Sequence, residues 1–286
     1  MKRIIAFLLI LSSIILMASC SKTKEFNYDI QVCGYSDSVS EADYTLEFSR
    51  WYEAPSEKKS LKGKTFEWEK SGISLKGTYA TSETRQPEYY LTHSYMGEDG
   101  YRFQVDEKGN LVFFYRSKKS LNSTEVSLSE SQCLEIACDF FSQMIEHAED
   151  YTITKKYNDT FEEYDVIFTK YIASWATADE AVISVDPTTG EITSYRATMI
   201  EQMDVNATVD LDKDKLNAVV TEKLDRIFKK AKEKYDEVNY GEYSYVLTLN
   251  SEKEYAVVCT VEVECVTALG GGQSLAMGEL MSFVIT

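Results

Sequence analysis

Histidine is scarce: 286 residues hold two, His93 and His147. Neither stands beside a nucleophile motif, and the chain has no His-x-x-x-His, Cys-x-x-Cys or Gly-x-Ser-x-Gly. A zinc site or a hydrolase triad would have to be assembled from distant stretches with almost no imidazole to draw on. No cofactor motif is present, which points away from an enzyme. Basic residues are short as well, 30 against 47 acidic, for a formal net charge of −17. A surface of that sign repels nucleic acid and anionic lipid head groups, so no nucleic-acid partner is expected, and it favours solubility outside the cell. Cysteine is uneven. Beside Cys20 there are Cys33, Cys133, Cys138, Cys259 and Cys265, an odd count that closes no disulfide framework. Cys133 and Cys138 are five apart on a predicted helix, about 7.5 Å along its axis, too far to bridge. Cys259 and Cys265 share a face of a predicted strand and cannot bridge each other; a link from one pair to the other stays open.

What is present begins with residues 1–19. Lys2-Arg3 form a basic start, Ile4 to Leu16 a short apolar run, and Leu16-Met17-Ala18-Ser19-Cys20 a small-residue end. The run has the layout of an export signal rather than of a membrane span. It resembles a bacterial lipoprotein signal, with Met17 where that signal usually has Leu. The resemblance implies cleavage before Cys20, acylation of that residue and a membrane anchor outside the cytoplasm, since several acyl chains anchor stably where one does not. Losing Lys2 and Arg3 would take the net charge to about −19. Residues 20–43 read as the lipidated cysteine and a polar tether, with a short strand near Tyr28–Val32.

From 44 to 120 the pattern is β-rich. Tyr44, Leu46 and Phe48 alternate with polar residues, as does Thr65–Glu69; Ile73, Leu75 and Thr78-Tyr79 suggest a strand with Gly77 a bulge. Tyr89–Leu91, Tyr101–Val105, a turn over 106–110 and Leu111–Tyr115 follow. Residues 121–200 then form a helix-and-strands unit. Ser127-x-x-Glu130 and Ser129-x-x-Gln132 both fit a capping box. Leu134, Ala137, Phe141, Met144, Ile145 and Ala148 recur at helical spacing. Tyr164–Trp175 reads as a strand, and Ala181–Val185 with Ile192–Tyr195 as a hairpin whose turn carries Pro187 and Gly190. Residues 201–286 repeat the theme in diverged form. Asp210, Asp212 and Asp214 open a helix closed by Lys229, Lys230, Lys232 and Lys234, matching its dipole. Strands at 245–249 and 255–265 follow, then a loop over 267–278 with Gly270-Gly271-Gly272, then Leu280–Ile285.

The segment Ser129–Tyr195 resembles a PepSY-type module, in particular the tandem kind of YcdB/YcdC-like secreted bacterial proteins. The matching features are the capped helix with Glu135-Ile136-Ala137, Tyr164-x-Val166-x-Phe168-x-Lys170-x-Ile172, and Val185-Asp186-x-x-x-Gly190-Glu191-Ile192-x-x-Tyr195. Val105-Asp106-Glu107-Lys108-Gly109-Asn110-Leu111 is a one-residue-shorter copy of that hairpin. The likeness extends over 89–286. It implies an α+β fold, with amphipathic helices packed on antiparallel sheets in repeated helix-plus-strands modules after the β-rich segment, and a role in restraining or binding peptidases at the cell surface. It carries over no catalytic residue.

Other constellations are weaker. Asp210-x-Asp212-x-Asp214 has the start of a calcium loop, but Lys215 stands where Gly is required and Thr221 where Glu is, so a helix start is the better reading. Glu262 and Glu264 share one strand face and are the only acid–base pair the chain offers an acidic-site hydrolase. Gly270-Gly271-Gly272 lacks the Lys of a phosphate loop. The reading that follows is a lipid-anchored, non-catalytic module for a protein or peptide partner, a peptidase first among them, working through strand edges and the 267–278 loop. A structural or assembly lipoprotein of the envelope is the alternative, and the hydrolase the third.

Overall fold

The computed structural model describes residues 24–36, 38–47, 56–85, 90–98, 100–116, 127–198, 203–250 and 253–286. The leader at 1–19, Cys20, Phe48 and Tyr89 lie outside the described residues.

Five antiparallel strands come first in the body of the fold: β3 (Thr65–Lys70), β4 (Ile73–Arg85), β5 (Tyr90–Met96), β6 (Arg102–Asp106) and β7 (Leu111–Tyr115). Helix α1 (Glu130–Met144) follows. The next strands, β8 (Tyr151–Asn158), β9 (Glu163–Ile172), β10 (Trp175–Val185) and β11 (Ile192–Ala197), join the first group because β11 pairs with β7. The C-terminal part holds β12 (Val209–Asp210), α2 (Lys213–Ile227), α3 (Lys229–Lys234), β13 (Glu237–Tyr240), β14 (Ser244–Leu249), β15 (Tyr255–Gly270) and β16 (Gln273–Ile285). Two strands from the start of the chain complete it: β1 (Lys24–Glu25) lies parallel to β12, and β2 (Ile30–Gly34) pairs with β16.

This corrects the expected fold class. Among the described residues there are sixteen strands and three α-helices, and fourteen strands run in one mixed sheet instead of repeated helix-on-sheet modules. The joint is a parallel pairing at Thr177 with Leu247, which ties β10 to β14. Local periodicity reports which residues share a face but is silent on which distant strand a given edge meets.

Local signals explain the individual elements. Ser129 caps α1, accepting from Gln132 N while the Gln132 side chain accepts from Ser129 N at 2.9 Å, so the second of the two candidate boxes is the real one. The face α1 buries is Cys133, Ala137, Phe140 and Phe141. Phe141 stacks on Phe168 of β9 at 4.0 Å between centroids, and truncating such a ring costs about 3–5 kcal/mol. In the β10–β11 turn, Asp186 Oδ1 accepts from Thr188 N at 2.8 Å and Gly190 takes φ +74°. The shorter β6–β7 turn repeats the device: Asp106 Oδ1 accepts from Lys108 N at 2.9 Å. In both, the carboxylate replaces a backbone acceptor for the residue two positions on. The bulge in β4 falls between Tyr79 and Thr81 and not at Gly77; a Cβ at Gly77 would stand 2.8 Å from the Phe103 ring.

Two other expectations change. Residues 20–43 are no free tether along their described part, because Val32, Cys33 and Val39 are buried and β2 forms a sheet edge. The second helix is not continuous to Lys234: it ends at Phe228 (φ −95°, ψ 19°), where α3 starts. Two large apolar clusters result, beside a small one of Cys33, Ala256 and Val284. One joins α1 to β4–β7 and β9–β11, and the other gathers α2, α3, β2 and β14–β16 with Ile172 from the end of β9.

Candidate functional site

The sequence-predicted groups end up apart. His147 is exposed at φ +58°, with only Glu149 near its ring nitrogen at 3.4 Å. Asp212 accepts from Asp214 N at 2.9 Å and Lys215 N at 3.2 Å, which makes it the N-cap of α2, while Asp210 sits in β12. Among the described residues no group of three or more His, Cys, Asp or Glu side chains is arranged to hold a metal. Glu262 and Glu264 are both exposed on the outward face of β15, where water solvates them.

His93 has a serine neighbour that the sequence did not reveal. Ser82 and His93 are cross-strand partners on β4 and β5, with Ser82 Oγ 2.9 Å from His93 Nδ1. The pair resembles a nucleophile and its base, but Ser82 is fully buried, and its hydroxyl also meets Tyr79 OH at 2.7 Å. Ser56 closes the site by exchanging two backbone hydrogen bonds with Ser82, at 2.7 and 2.8 Å. Burial, with the Lys58 charge second, holds the His93 pKa below its ordinary value. A substrate has no approach to that hydroxyl; the network fastens residues 56–58 to β4. Eleven residues separate Ser82 from His93, and only the strand register joins them.

The five described cysteines are free and, apart from half-buried Cys138, buried. Burial pushes the Cys33 and Cys259 thiols up to about 12, so neither offers a thiolate at neutral pH.

The 267–278 stretch is where the structure departs from expectation in a useful way. It is no loop: β15 and β16 pair out to Gly270 and Gln273, with a bulge between Ala268 and Gly270, and Gly270, Gly271 and Gly272, all at positive φ, make the turn. β13 and β14 accompany β15 only between Tyr255 and Val266, and β2 accompanies β16 only at its far end. Past those neighbours the ribbon stands out as a two-stranded arm. From Val266 to Gly278 no residue is charged. Successive residues of β15 alternate faces, so the row Val261, Val263 and Cys265, buried under the C-terminal core, continues outward as Thr267, and Leu269 lies in the bulge just beyond. Leu275 lies opposite Thr267. Leu269 is 63% exposed and Leu275 52%.

The arm has a rigid base. Glu279, fully buried, accepts from the backbone N–H groups of Ser36, Ser38 (3.1 Å) and Val39 (3.2 Å), and Asp236 Oδ2 accepts from Ala268 N at 2.7 Å. No pattern in the sequence marks Glu279 as different from its exposed neighbours; its partners lie some 240 positions away.

Geometry thus defines a mostly-β protein with a projecting apolar hairpin and no assembled catalytic group among the described residues. Residues 41–199 match the family described as the YcdB, YcdC repeated domain. That is more than half of the chain, and the chain belongs to this family. The match takes in β3 to β11 with α1 and stops before α2, whereas the sequence motifs point to 89–286. No curated protein matches the chain. Among solved structures the Bacillus megaterium YpeB C-terminal domain is similar at 10% identity, covering 76% of this chain and 92% of that one, with a TM-score of 0.33, a likeness too loose to bear on the fold.

Proposed function

We propose that the protein is a non-catalytic binding module of the cell envelope, anchored by lipid at Cys20, that holds a protein partner with the tip of the β15–β16 hairpin. The partner class is a peptidase, the role implied by the resemblance of the helix-and-strands unit. The observation that carries the reading is the uncharged, exposed end of the hairpin in a chain of net charge −17. Burying Leu269 and Leu275 in a partner would yield about 1.5–3 kcal/mol each, and the small residues around them let another backbone approach closely. A narrow two-stranded ribbon is also the shape that enters a cleft.

Orientation supports the same reading. Asp29 and Thr286 exchange backbone hydrogen bonds at 3.1 and 3.2 Å, so Asp29 lies at the end of β16 opposite the tip. Thirteen residues of strand separate the two ends by about 40 Å. Asp29, nine residues after Cys20, thus lies far from the tip, an arrangement that suits an anchor at Cys20 with the tip free for a partner. Among the described residues no helix is long and apolar enough to cross a membrane.

Photocrosslinking in cells tests the reading. A photoreactive residue at Leu269 or Leu275 should trap one peptidase, and the same residue at Lys59 should not. Equal trapping at all three positions would reject the hairpin as the binding element.

A further inference from the structure

A second surface lies at the outer edge of β8, which branches off the main run of the sheet through β9 and β10. β8 pairs with β9 along all eight of its residues, Tyr151 with Lys170 through Asn158 with Glu163. Among the described residues nothing pairs with its outer edge. Alternate residues of an antiparallel edge strand turn N–H and C=O groups outward, which leaves a row of free donors and acceptors. α1 packs mainly on β9 and β10 and reaches β8 only at Tyr151, against Phe141, and at Lys155. Ile153 and Tyr157 stay 45% and 46% exposed on the same side of the sheet as buried Val166 and Phe168. The charge of this edge is opposite to that of the chain as a whole. In a chain with 47 acidic and 30 basic residues, β8 carries Lys155 and Lys156 side by side and no acid. Lys155 meets Glu130 of α1; Lys156, exposed on the other side of the sheet, makes no ion pair.

We propose that the outer edge of β8 takes an extended segment of another polypeptide as an added strand, and that this segment is acidic: two adjacent carboxylates with apolar residues on either side. The register dictates the pattern. An added strand sets one residue beside each of Ile153, Thr154, Lys155, Lys156 and Tyr157, and residues directly opposite share a face. The positions beside Lys155 and Lys156 favour carboxylates; those beside Ile153 and Tyr157 favour apolar side chains. Backbone hydrogen bonds supply affinity and these pairs supply selection. A second copy of this chain fits poorly, because pairing β8 with itself would bring the lysines of both copies together. The inference rests on the binding-module reading only in kind, since the hairpin is a different surface.

The test is fluorescence anisotropy of the full chain with a labelled peptide carrying valine-threonine-glutamate-glutamate-valine, the same run reversed, and a control with lysines in place of the glutamates. A saturable rise with at least one glutamate peptide and none with the control is expected. Added salt should weaken binding, because these charges are exposed. Methylating alternate backbone nitrogens of the peptide should abolish binding in one phase and spare it in the other, a readout that needs no change to the protein. The K155E/K156E variant should bind at least tenfold more weakly. Absent saturation, equal loss in both methylation phases, or a dimer of the chain that Ile153→Lys dissolves would each overturn the proposal. A variant with residues 268–274 shortened should keep peptide binding. Loss there would move the peptide to the hairpin, overturning this inference while leaving the binding-module reading intact.

Discussion

Lys223 of α2 holds Glu47 with both carboxylate oxygens, at 2.6 and 2.8 Å, and Glu47 also accepts from Val32 N at 3.2 Å. One carboxylate thus fastens the N-terminal segment to the helix and to the sheet edge at once. Burial pushes the Glu47 carboxyl up, but Lys223 and the Val32 amide outweigh it and leave it below the ordinary range. With the folded-state pKa below the unfolded one, the contribution is present above about pH 4.3 and is lost as pH falls through the folded-state value. Glu47→Gln should therefore cost about 0.5–1 kcal/mol at pH 7, a modest figure because the pair is partly solvated. In urea unfolding the gap should narrow as pH falls below the ordinary glutamate range; a gap that stays constant with pH would contradict the ion-pair explanation.

The Lys170–Asp179 pair makes a sharper case. Its atoms are 3.0 Å apart with side chains 13% and 6% exposed, and Tyr151 OH donates to Asp179 at 2.7 Å. Burial raises the Asp179 pKa against the opposing effects of Tyr151 and Lys170. Lys170→Met should cost about 3–5 kcal/mol by stranding a buried carboxylate. That loss should shrink on acidification, because a raised pKa means the folded protein holds the proton more tightly. A pH-independent loss would point to packing alone.

Gly190 and Gly72 separate backbone strain from contact. Both have positive φ, +74° and +76°, but a Cβ at Gly190 would stand 3.0 Å from Leu128 Cδ1, whereas one at Gly72 meets nothing within 4 Å. Alanine at Gly72 should cost about 1 kcal/mol. At Gly190 it should cost more and also disturb the start of α1, since Leu128 N donates to Pro187 O at 2.9 Å. Equal losses in thermal unfolding would remove the Leu128 contact from the explanation.

What the sequence disclosed follows from the range of each signal. The cap at Ser129, the turns at Asp106 and Asp186 and the apolar face of α1 are set by neighbours within a few residues, and those were legible. β8 was not, because exposure on both faces leaves Thr152, Thr154, Lys155 and Lys156 with no alternation to read. β2 was legible only in outline, as a short strand near Tyr28–Val32; its pairing with β16 lies some 250 positions away. In the 267–278 stretch, glycine and small polar residues imitate a loop, while cross-strand pairing makes them a ribbon. The partners of Ser82 and Glu279 are fixed by register and by long-range packing, which no local pattern encodes.

The anchor has its own check. Cys20→Ser should abolish labelling by a palmitate analogue and shift the protein from the membrane to the soluble fraction. Unchanged labelling would place any lipid elsewhere.

The most direct measurement is calorimetric titration of the partner trapped at Leu269 against the wild-type chain and a Leu269→Asp/Leu275→Asp variant. Both side chains are exposed, so thermal unfolding should be unaltered while affinity falls at least a hundredfold, from about 1.5–3 kcal/mol lost at each leucine. Unaltered affinity in a variant that unfolds like the wild type would show that the hairpin does not hold the partner.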